Sequence, residues 1–423
     1  MEVKVEYLEV EGGKSLKGSV EISGSKNAAF PILSACLLIE GKCHIKNIPE
    51  ILDVKKFINQ LKKIGVNVLI GAHEVEIDAT SGFKPEILPE EKENIRGTQT
   101  LLGAFVGRER KASIAGLGGC NIGSRPIDQH EKGLRELGVE IIWNRGILKA
   151  QVKNKLKGNK IFLDKPSVGA TENLILASVV AEGETVIENA AREPEVKDLI
   201  NFLNKAGAQI SINGTGSTIF IKGVKKLRPV DYTIIPDRIE ASTYLILAGI
   251  TKGNIKVKNV IPQHLEAVIM KLKEIGLDIT IKENEITGAY RGRLYGTNIV
   301  TLPYPGFPTD VQSQILALLT TAYGPSVIQE NIFENRFRIV NDLIKMGANI
   351  RVEDKTAFVV GVDELKPSIV TAPDLRGGMA LLLATLSAKG ISKLIDPFHI
   401  DRGYENYIEK IRLVGGKVER KSD

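Results

Sequence analysis

Cysteine is scarce in this chain. Its three copies among 423 residues (Cys36, Cys43, Cys120) are too few for a disulfide framework, and their spacing matches no metal motif. Five histidines stand at unrelated intervals and add no metal cluster. Aromatic residues make up only 5%, with a single tryptophan, and lysine and arginine are spread along the chain rather than gathered in runs. A nucleic-acid surface would show basic clusters interleaved with aromatics, so that class is excluded. Long apolar runs are missing too: Phe30–Ile39 and Ala380–Ala388 fall far short of a membrane span. The first residues, Met-Glu-Val-Lys-Val-Glu-Tyr, alternate charge with apolar side chains and lack the hydrophobic block of a signal peptide. The expectation is a soluble, cytoplasmic protein.

What is present is ordinary for such a protein: 43% hydrophobic, 26% charged, net charge +6. This composition buries a large core and rules out disorder, and the length corresponds to two or three domains at about 150 residues each. The mild positive charge suits anionic small molecules without pointing to any one of them.

A repeat organises the chain. A helix ending in apolar-Gly and re-entering a strand recurs six times: Ile64-Gly65-Val66, Leu137-Gly138-Val139, Ala206-Gly207-Ala208, Ile275-Gly276-Leu277, Met346-Gly347-Ala348 and Val414-Gly415-Gly416. The steps between these glycines are 73, 69, 69, 71 and 68 residues, which marks internal duplication. Glycine is expected there because it caps a helix in the left-handed region without steric cost. Each unit reads as strand, buried small-residue helix (Ala28–Leu38, Glu172–Ala181), strand, amphipathic helix (Glu195–Lys205) and strand. Interleaving of this kind predicts α/β layers, arranged as two domains of three βαβαβ units with a junction near Pro229–Pro236. The first strand, Val3–Val10, could pair with either half.

Charged residues collect at helix starts. Lys26-Asn27, Arg96, Lys165 through Gly169, Asp237-Arg238, Asp310 and Asp374-Leu375-Arg376 precede buried helices; Arg125, Arg192, Arg336 and Arg402 precede exposed ones. Helix N-termini favour anions, so a cation there is locally unfavourable. One such arginine reads as a solvated turn. Several at equivalent repeat positions point to a shared polyanionic ligand that offsets the repulsion.

Two further segments carry chemistry. Gly116-Leu117-Gly118-Gly119-Cys120-Asn121-Ile122-Gly123-Ser124-Arg125-Pro126 is a glycine-rich loop bearing a thiol five residues from a guanidinium, the setting of a reactive cysteine, whereas Cys36 and Cys43 read as core. In Phe307-Pro308-Thr309-Asp310 the aspartate reads first as a helix N-cap, and among arginines it can also serve as a base. The glycine-rich loop fits neither a Walker A nor a dinucleotide pattern, so ATP and NAD have no support.

These residues carry a resemblance. Ser23-Gly24-Ser25-Lys26-Asn27-Ala28-Ala29, the Cys120 loop, Glu188 through Glu195, Pro236-Asp237-Arg238-Ile239-Glu240, Phe307 through Asp310, Phe333-Glu334-Asn335-Arg336-Phe337 and His399 through Glu405 resemble, in order and over the whole length, the UDP-N-acetylglucosamine 1-carboxyvinyltransferase family of enolpyruvyl transferases. The resemblance implies an inside-out α/β barrel of EPSP synthase-like fold, with domains 24–233 (Cys loop 112–125) and 1–23 plus 234–423, the first strand in the second domain, and an active site in the interdomain cleft. It implies transfer of enolpyruvate from phosphoenolpyruvate to the 3′-hydroxyl of UDP-N-acetylglucosamine with release of phosphate, the first committed step of peptidoglycan synthesis. It implies neither metal nor organic cofactor. Cys120 matches the residue that protonates phosphoenolpyruvate, Asp310 the carboxylate that takes the hydroxyl proton, and Lys26 a catalytic cation. Lys26, Asn27, Arg125, Arg336, Arg402 and Asp374 match phosphoenolpyruvate-binding positions. Asn27, Arg96, Arg125, Pro126, Lys165, Ser167, Val168, Gly169, Asp310 and Ile332 match the nucleotide-sugar pocket. Leu117 stands where a proline is frequent, and Thr100 where some members carry tryptophan.

Two alternatives stand beside this reading: the sister transferase acting on shikimate 3-phosphate, and a catalytically silent paralogue that binds the nucleotide sugar. The Gly-Gly-Cys loop and His399–Glu405 favour the nucleotide-sugar enzyme over the first. Retention of Cys120, Asp310, Lys26, Arg125 and Arg402 together argues against the second.

Overall fold

A computed structural model describes residues 6–88, 96–115 and 126–422, with Arg96 described by its backbone alone. The expected six repeats appear as six four-stranded sheets of identical plan. In the first, the order is Asp231–Thr233, Lys42–Lys46, Glu74–Asp78, Asn67–Gly71; the first pair is parallel and the others antiparallel. Period-two burial sets the faces: Cys43 and Ile45 point into the core while Lys42 and Lys46 face out.

All six repeat glycines adopt positive φ, from 89° at Gly138 to 103° at Gly276, so each helix ends where only glycine is unstrained. A second device recurs one step earlier. Asn47, Asn189 and Asn259 sit at positive φ just after a strand, and each donates its side-chain amide to a carbonyl at the end of the neighbouring parallel strand: Ile234 at 2.9 Å, Leu163 at 2.8 Å and Ile22 at 2.8 Å.

Five of the six units carry one strand more than the βαβαβ pattern anticipates. The strand after the repeat glycine folds back as a hairpin, Asn67–Gly71 onto Glu74–Asp78 for example. The reversals pass through His73, Arg145, Glu283 and Asp354, all at positive φ. Such turns are usually announced by Asn-Gly or Asp-Gly, and these sequences lack that signal. In the last sheet the place of the returning strand is taken by the N-terminal strand Glu6–Gly12, which lies between Gly390–Ile395 and Lys417–Ser422. The first strand therefore pairs with C-terminal sequence.

The described residues form two compact units, 24–88 with 96–115 and 126–235, and 6–23 with 236–422. Each has its own apolar core around three helices that pack on one another: Lys26–Ala35, Leu101–Glu109 and Val168–Ser178 in one, Arg238–Ile250, Gln312–Leu319 and Leu375–Ser387 in the other. These helices are buried on nearly every side; in Leu375–Ser387 all residues but Ser387 are buried. Backbones come close enough that a Cβ on Gly103 would lie 2.2 Å from the Asn173 carbonyl oxygen, and the Gly103 N–H donates to Asn173 Oδ1 at 2.6 Å. Among the described residues no helix is long and apolar enough to cross a membrane, and no group of three or more His, Cys, Asp or Glu could hold a metal ion.

Candidate active site

In the unit built around Lys26–Ala35, the candidate residues sit where helices begin. Ser25 caps that helix, accepting from the Ala28 N–H at 3.3 Å, so Lys26 becomes its first residue and Asn27, partly buried, its second. Lys26 is buried, and its Nζ meets Asp53 Oδ2 at 2.7 Å. Asp53 lies in the first turn of the neighbouring helix Leu52–Lys63. The repulsion between Lys26 and its own helix end is thus offset by a carboxylate of the protein.

The helical turn Arg96–Thr100 packs beside it. Ser34 Oγ and Thr100 Oγ1 are 2.8 Å apart, and a Cβ on Gly97 would press into the Phe30 ring at 2.9 Å. From this turn Gln99 reaches His130 Nε2 at 2.6 Å. The imidazole in turn lies against Gly169, where a Cβ would sit 3.0 Å from Nε2. Ser167 caps the helix that Val168 and Gly169 open, accepting from the Ala170 N–H at 3.4 Å. Three of the segments expected in the nucleotide-sugar pocket are thereby joined through two buried side chains, Gln99 and His130, that sequence reasoning did not single out. Pro126 and Lys165 are exposed. The Gln129 amide holds the Asp128 carboxyl below the usual carboxylate range, and the charge of Lys165 adds to the effect, which places that lysine beside the same helix start. One turn into the helix from Val168, Glu172 is fully buried, and burial together with Glu195 and Glu193 pushes its carboxyl well above the ordinary range.

Cys120, Arg125 and the rest of the segment 116–125 lie outside the described residues, as does the side chain of Arg96.

In the other unit the geometry centres on Asp310. The turn Thr309–Val311 leads into the buried helix Gln312–Leu319, and the cap positions of the two are Pro308 and Val311, with Asp310 inside the first turn. The N-cap reading therefore fails for this residue. Its carboxylate pairs instead with two guanidiniums: Oδ1 with Arg336 Nη2, in close contact, and Oδ2 with Arg376 Nη2 at 3.2 Å. The arginine side chains are 2% and 4% exposed, whereas that of Asp310 is 26% exposed, so the cations are sealed and the carboxylate keeps one open edge. Arg336 is anchored further by Thr309 Oγ1, which accepts from Nε at 3.2 Å, and by the Phe333 ring 5.2 Å away. The Thr309 hydroxyl donates to the buried Glu330 carboxylate at 3.0 and 3.1 Å; Glu330 also accepts from the N–H groups of Ile332 and Phe333. Ile332 thus joins this site through its backbone.

Asp374 does act as an N-cap, accepting at 3.0 Å from the N–H groups of Arg376 and Gly377. Arg376, which the sequence placed only as part of the Asp374-Leu375-Arg376 run, lies 5.3 Å from the Tyr404 ring centre. Burial opposes its charge, yet Tyr404, Asp310 and Asp237 hold it more firmly protonated than usual. Arg402 follows the short helix Phe398–Asp401. Burial and the Arg402 charge keep the His399 imidazole below its ordinary value, against the opposing pull of Asp396 and Asp374, so Arg402 and Asp374 face a common histidine. Asp53, Glu330 and Gln314 left no signal in the sequence, because each matters only through a partner remote along the chain, and Tyr404 entered only as part of the His399–Glu405 segment.

The anion inferred from cationic helix starts is thus supplied in part by the protein itself, through Asp53 and Asp310. What remains is a partly exposed carboxylate held by two buried cations, and a set of helix N-termini, whose positive ends suit phosphate oxygens.

The family model described as EPSP synthase (3-phosphoshikimate 1-carboxyvinyltransferase) matches residues 10–411. Among curated proteins, "UDP-N-acetylglucosamine 1-carboxyvinyltransferase 2" of Carboxydothermus hydrogenoformans is 46% identical over 99% of this chain and 100% of its own length. A protein of Clostridium acetobutylicum with the same name, numbered 1, is 46% identical over 97% and 98%. Among solved structures, the enolpyruvyl transferase NikO from Streptomyces tendae superimposes with a TM-score of 0.89 at 23% identity, each chain wholly covered. EPSP synthase from Acinetobacter baumannii gives 0.76 at 18% identity over 99% and 100% of the two chains. At these identities the structures attest the fold.

Proposed function

The chain belongs to the EPSP synthase family, and from that premise we propose that it is a UDP-N-acetylglucosamine 1-carboxyvinyltransferase, moving enolpyruvate from phosphoenolpyruvate to the 3′-hydroxyl of the nucleotide sugar in peptidoglycan synthesis. Relatives bearing that name match almost every residue at 46% identity, whereas the solved EPSP synthase structures share 18–19%. This contrast favours the nucleotide sugar over shikimate 3-phosphate. The domains are 24–233 and 1–23 with 234–423, and the reaction takes place in the cytoplasm.

The observation that carries the chemistry is the Asp310 carboxylate with its one open edge. Ionised and oriented, it accepts the proton of the 3′-hydroxyl as that oxygen bonds to C2 of phosphoenolpyruvate. Cys120 supplies a proton to the methylene carbon, which becomes a methyl group. Loss of one methyl proton and of the phosphate then re-forms the carbon–carbon double bond, giving the vinyl ether of the nucleotide sugar. Lys26, Arg125 and Arg402 hold the phosphate and carboxylate of phosphoenolpyruvate, two anionic groups on one small molecule that call for several strong donors; Asn27, Arg336 and Asp374 support them. Arg96, Pro126, Lys165, Ser167, Val168, Gly169 and Ile332 receive the nucleotide sugar, with N–H groups of the helix start at Val168 facing the diphosphate.

Phosphate release from purified protein tests the assignment. Sustained release with phosphoenolpyruvate and UDP-N-acetylglucosamine, and none with shikimate 3-phosphate, is expected. Release with the shikimate ester alone moves the protein to the sister activity, and none with either points to the silent paralogue.

A further inference from the structure

Two guanidiniums divide the Asp310 carboxylate between them, and they differ in origin. Arg336 belongs to the same neighbourhood of the chain and shares Thr309 with it. Arg376 arrives from the start of a separate helix, Leu375–Ser387. Its platform is built for it. The Tyr404 ring lies beside it, and the Tyr404 hydroxyl is held by Gln314 Nε2 at 2.9 Å and Thr243 Oγ1 at 2.9 Å. The same Gln314 Nε2 lies 3.1 Å from the backbone carbonyl of Asp310. Gln314 therefore ties the main chain of Asp310 to the ring on which Arg376 rests.

We infer that Arg376 is a positioning residue for proton transfer: it fixes Oδ2 of Asp310 and keeps the carboxylate ionised, so that an incoming hydroxyl meets an acceptor on the open edge. The inference rests on the base role proposed above. A carboxylate offers about four lone-pair directions. The arginines occupy one on each oxygen, and the Asp310 side chain is 26% exposed, so an incoming hydroxyl can approach it from solvent. At 4% side-chain exposure, Arg376 acts through Asp310 rather than on solvent-borne groups. Other charges placed near Asp310 among the described residues include Arg336, Glu330 one hydroxyl away through Thr309, and Asp237, which lies in the field of Arg376; Arg238 turns toward the Tyr304 ring at 5.7 Å. Adjacent cations favour the ionised form of a carboxyl, so removing one moves protonation to higher pH.

The test is a kinetic cycle on nucleotide-sugar-dependent phosphate release. Arg376→Gln is expected to lower kcat on the order of 100-fold, to change the KM for UDP-N-acetylglucosamine by less than about 3-fold, and to shift the acid limb of the kcat–pH profile upward. Introduced into Asp310→Asn, the same change is expected to cost less than about 3-fold more, since the group it acts through is gone. An equal loss in both backgrounds, or an acid limb that does not move, overturns the inference. If Arg376→Gln fails to melt cooperatively, Arg376→Lys decides: kcat lowered about 10-fold with the acid limb in place supports it, and wild-type kcat refutes it. Should Asp310→Asn alone turn over like the wild type, the base assignment itself falls, which is a separate outcome.

Discussion

Replacing Asp53 by asparagine removes the charge opposite Lys26 and leaves an ammonium group buried at a helix N-terminus. The pair is close, 2.7 Å, and its side chains are only 10% and 4% exposed, so solvent screens it little. Breaking a buried ion pair from one side costs about 3–5 kcal/mol, because the remaining charge loses that carboxylate's field without regaining water. For a unit of about 200 residues each kcal/mol moves the melting midpoint by about 2–4 °C, so Asp53→Asn is expected to melt about 6–20 °C below the wild type. The transition to follow, by circular dichroism or calorimetry, is that of the unit holding residues 24–235. The companion variant removes both charges at once. With Lys26→Met and Asp53→Leu together both charges of the pair go at once, and the double variant is expected to lie above Asp53→Asn alone. A single variant that melts within about 2 °C of the wild type, or a double variant no more stable than the single, would refute the reasoning: Lys26 would then be compensated by something other than Asp53.

Burial raises the Asp198 carboxyl to about 6, against a hydrogen bond from the Tyr232 hydroxyl at 2.6 Å. A folded value above the unfolded one means that its contribution is present below about pH 4 and lost as pH rises through about 6. Asp198→Asn should therefore gain about 2–3 kcal/mol on the wild type between pH 4 and pH 7 in urea titrations, and parallel stability curves would contradict this. An electrophilic epoxide such as fosfomycin is expected to alkylate Cys120 and spare Cys36 and Cys43, both buried, with burial pushing the Cys36 thiol well up; peptide mass spectrometry finding either of the latter modified would sink the idea. Arg402→Ala is expected to raise the KM for phosphoenolpyruvate about 10-fold or more, the loss of one charge-assisted contact, and an unchanged KM would count against that contact.

The sequence by itself determined the features that depend on near neighbours along the chain. Six glycines at steps of 68 to 73 residues announced six repeats, and all six occupy the left-handed region that a helix end demands. Helices without a polar face had to be interior, and they are. The gathering of charged residues at helix starts was legible for the same reason: position relative to a helix end is a local property. The returning hairpin strand was not legible where the turn passes through His73, Glu283 or Asp354, since these carry none of the usual glycine signal. Only the tertiary structure decided what each charge faces. Asp310 looked like a cap, and Lys26, Arg336 and Arg376 looked like cations awaiting a ligand. Pairing Lys26 with Asp53, and Asp310 with residues 336 and 376, requires elements from different turns of the repeat to pack side by side. Energies of that kind depend on distance and burial, which the order of residues does not specify until the core has closed.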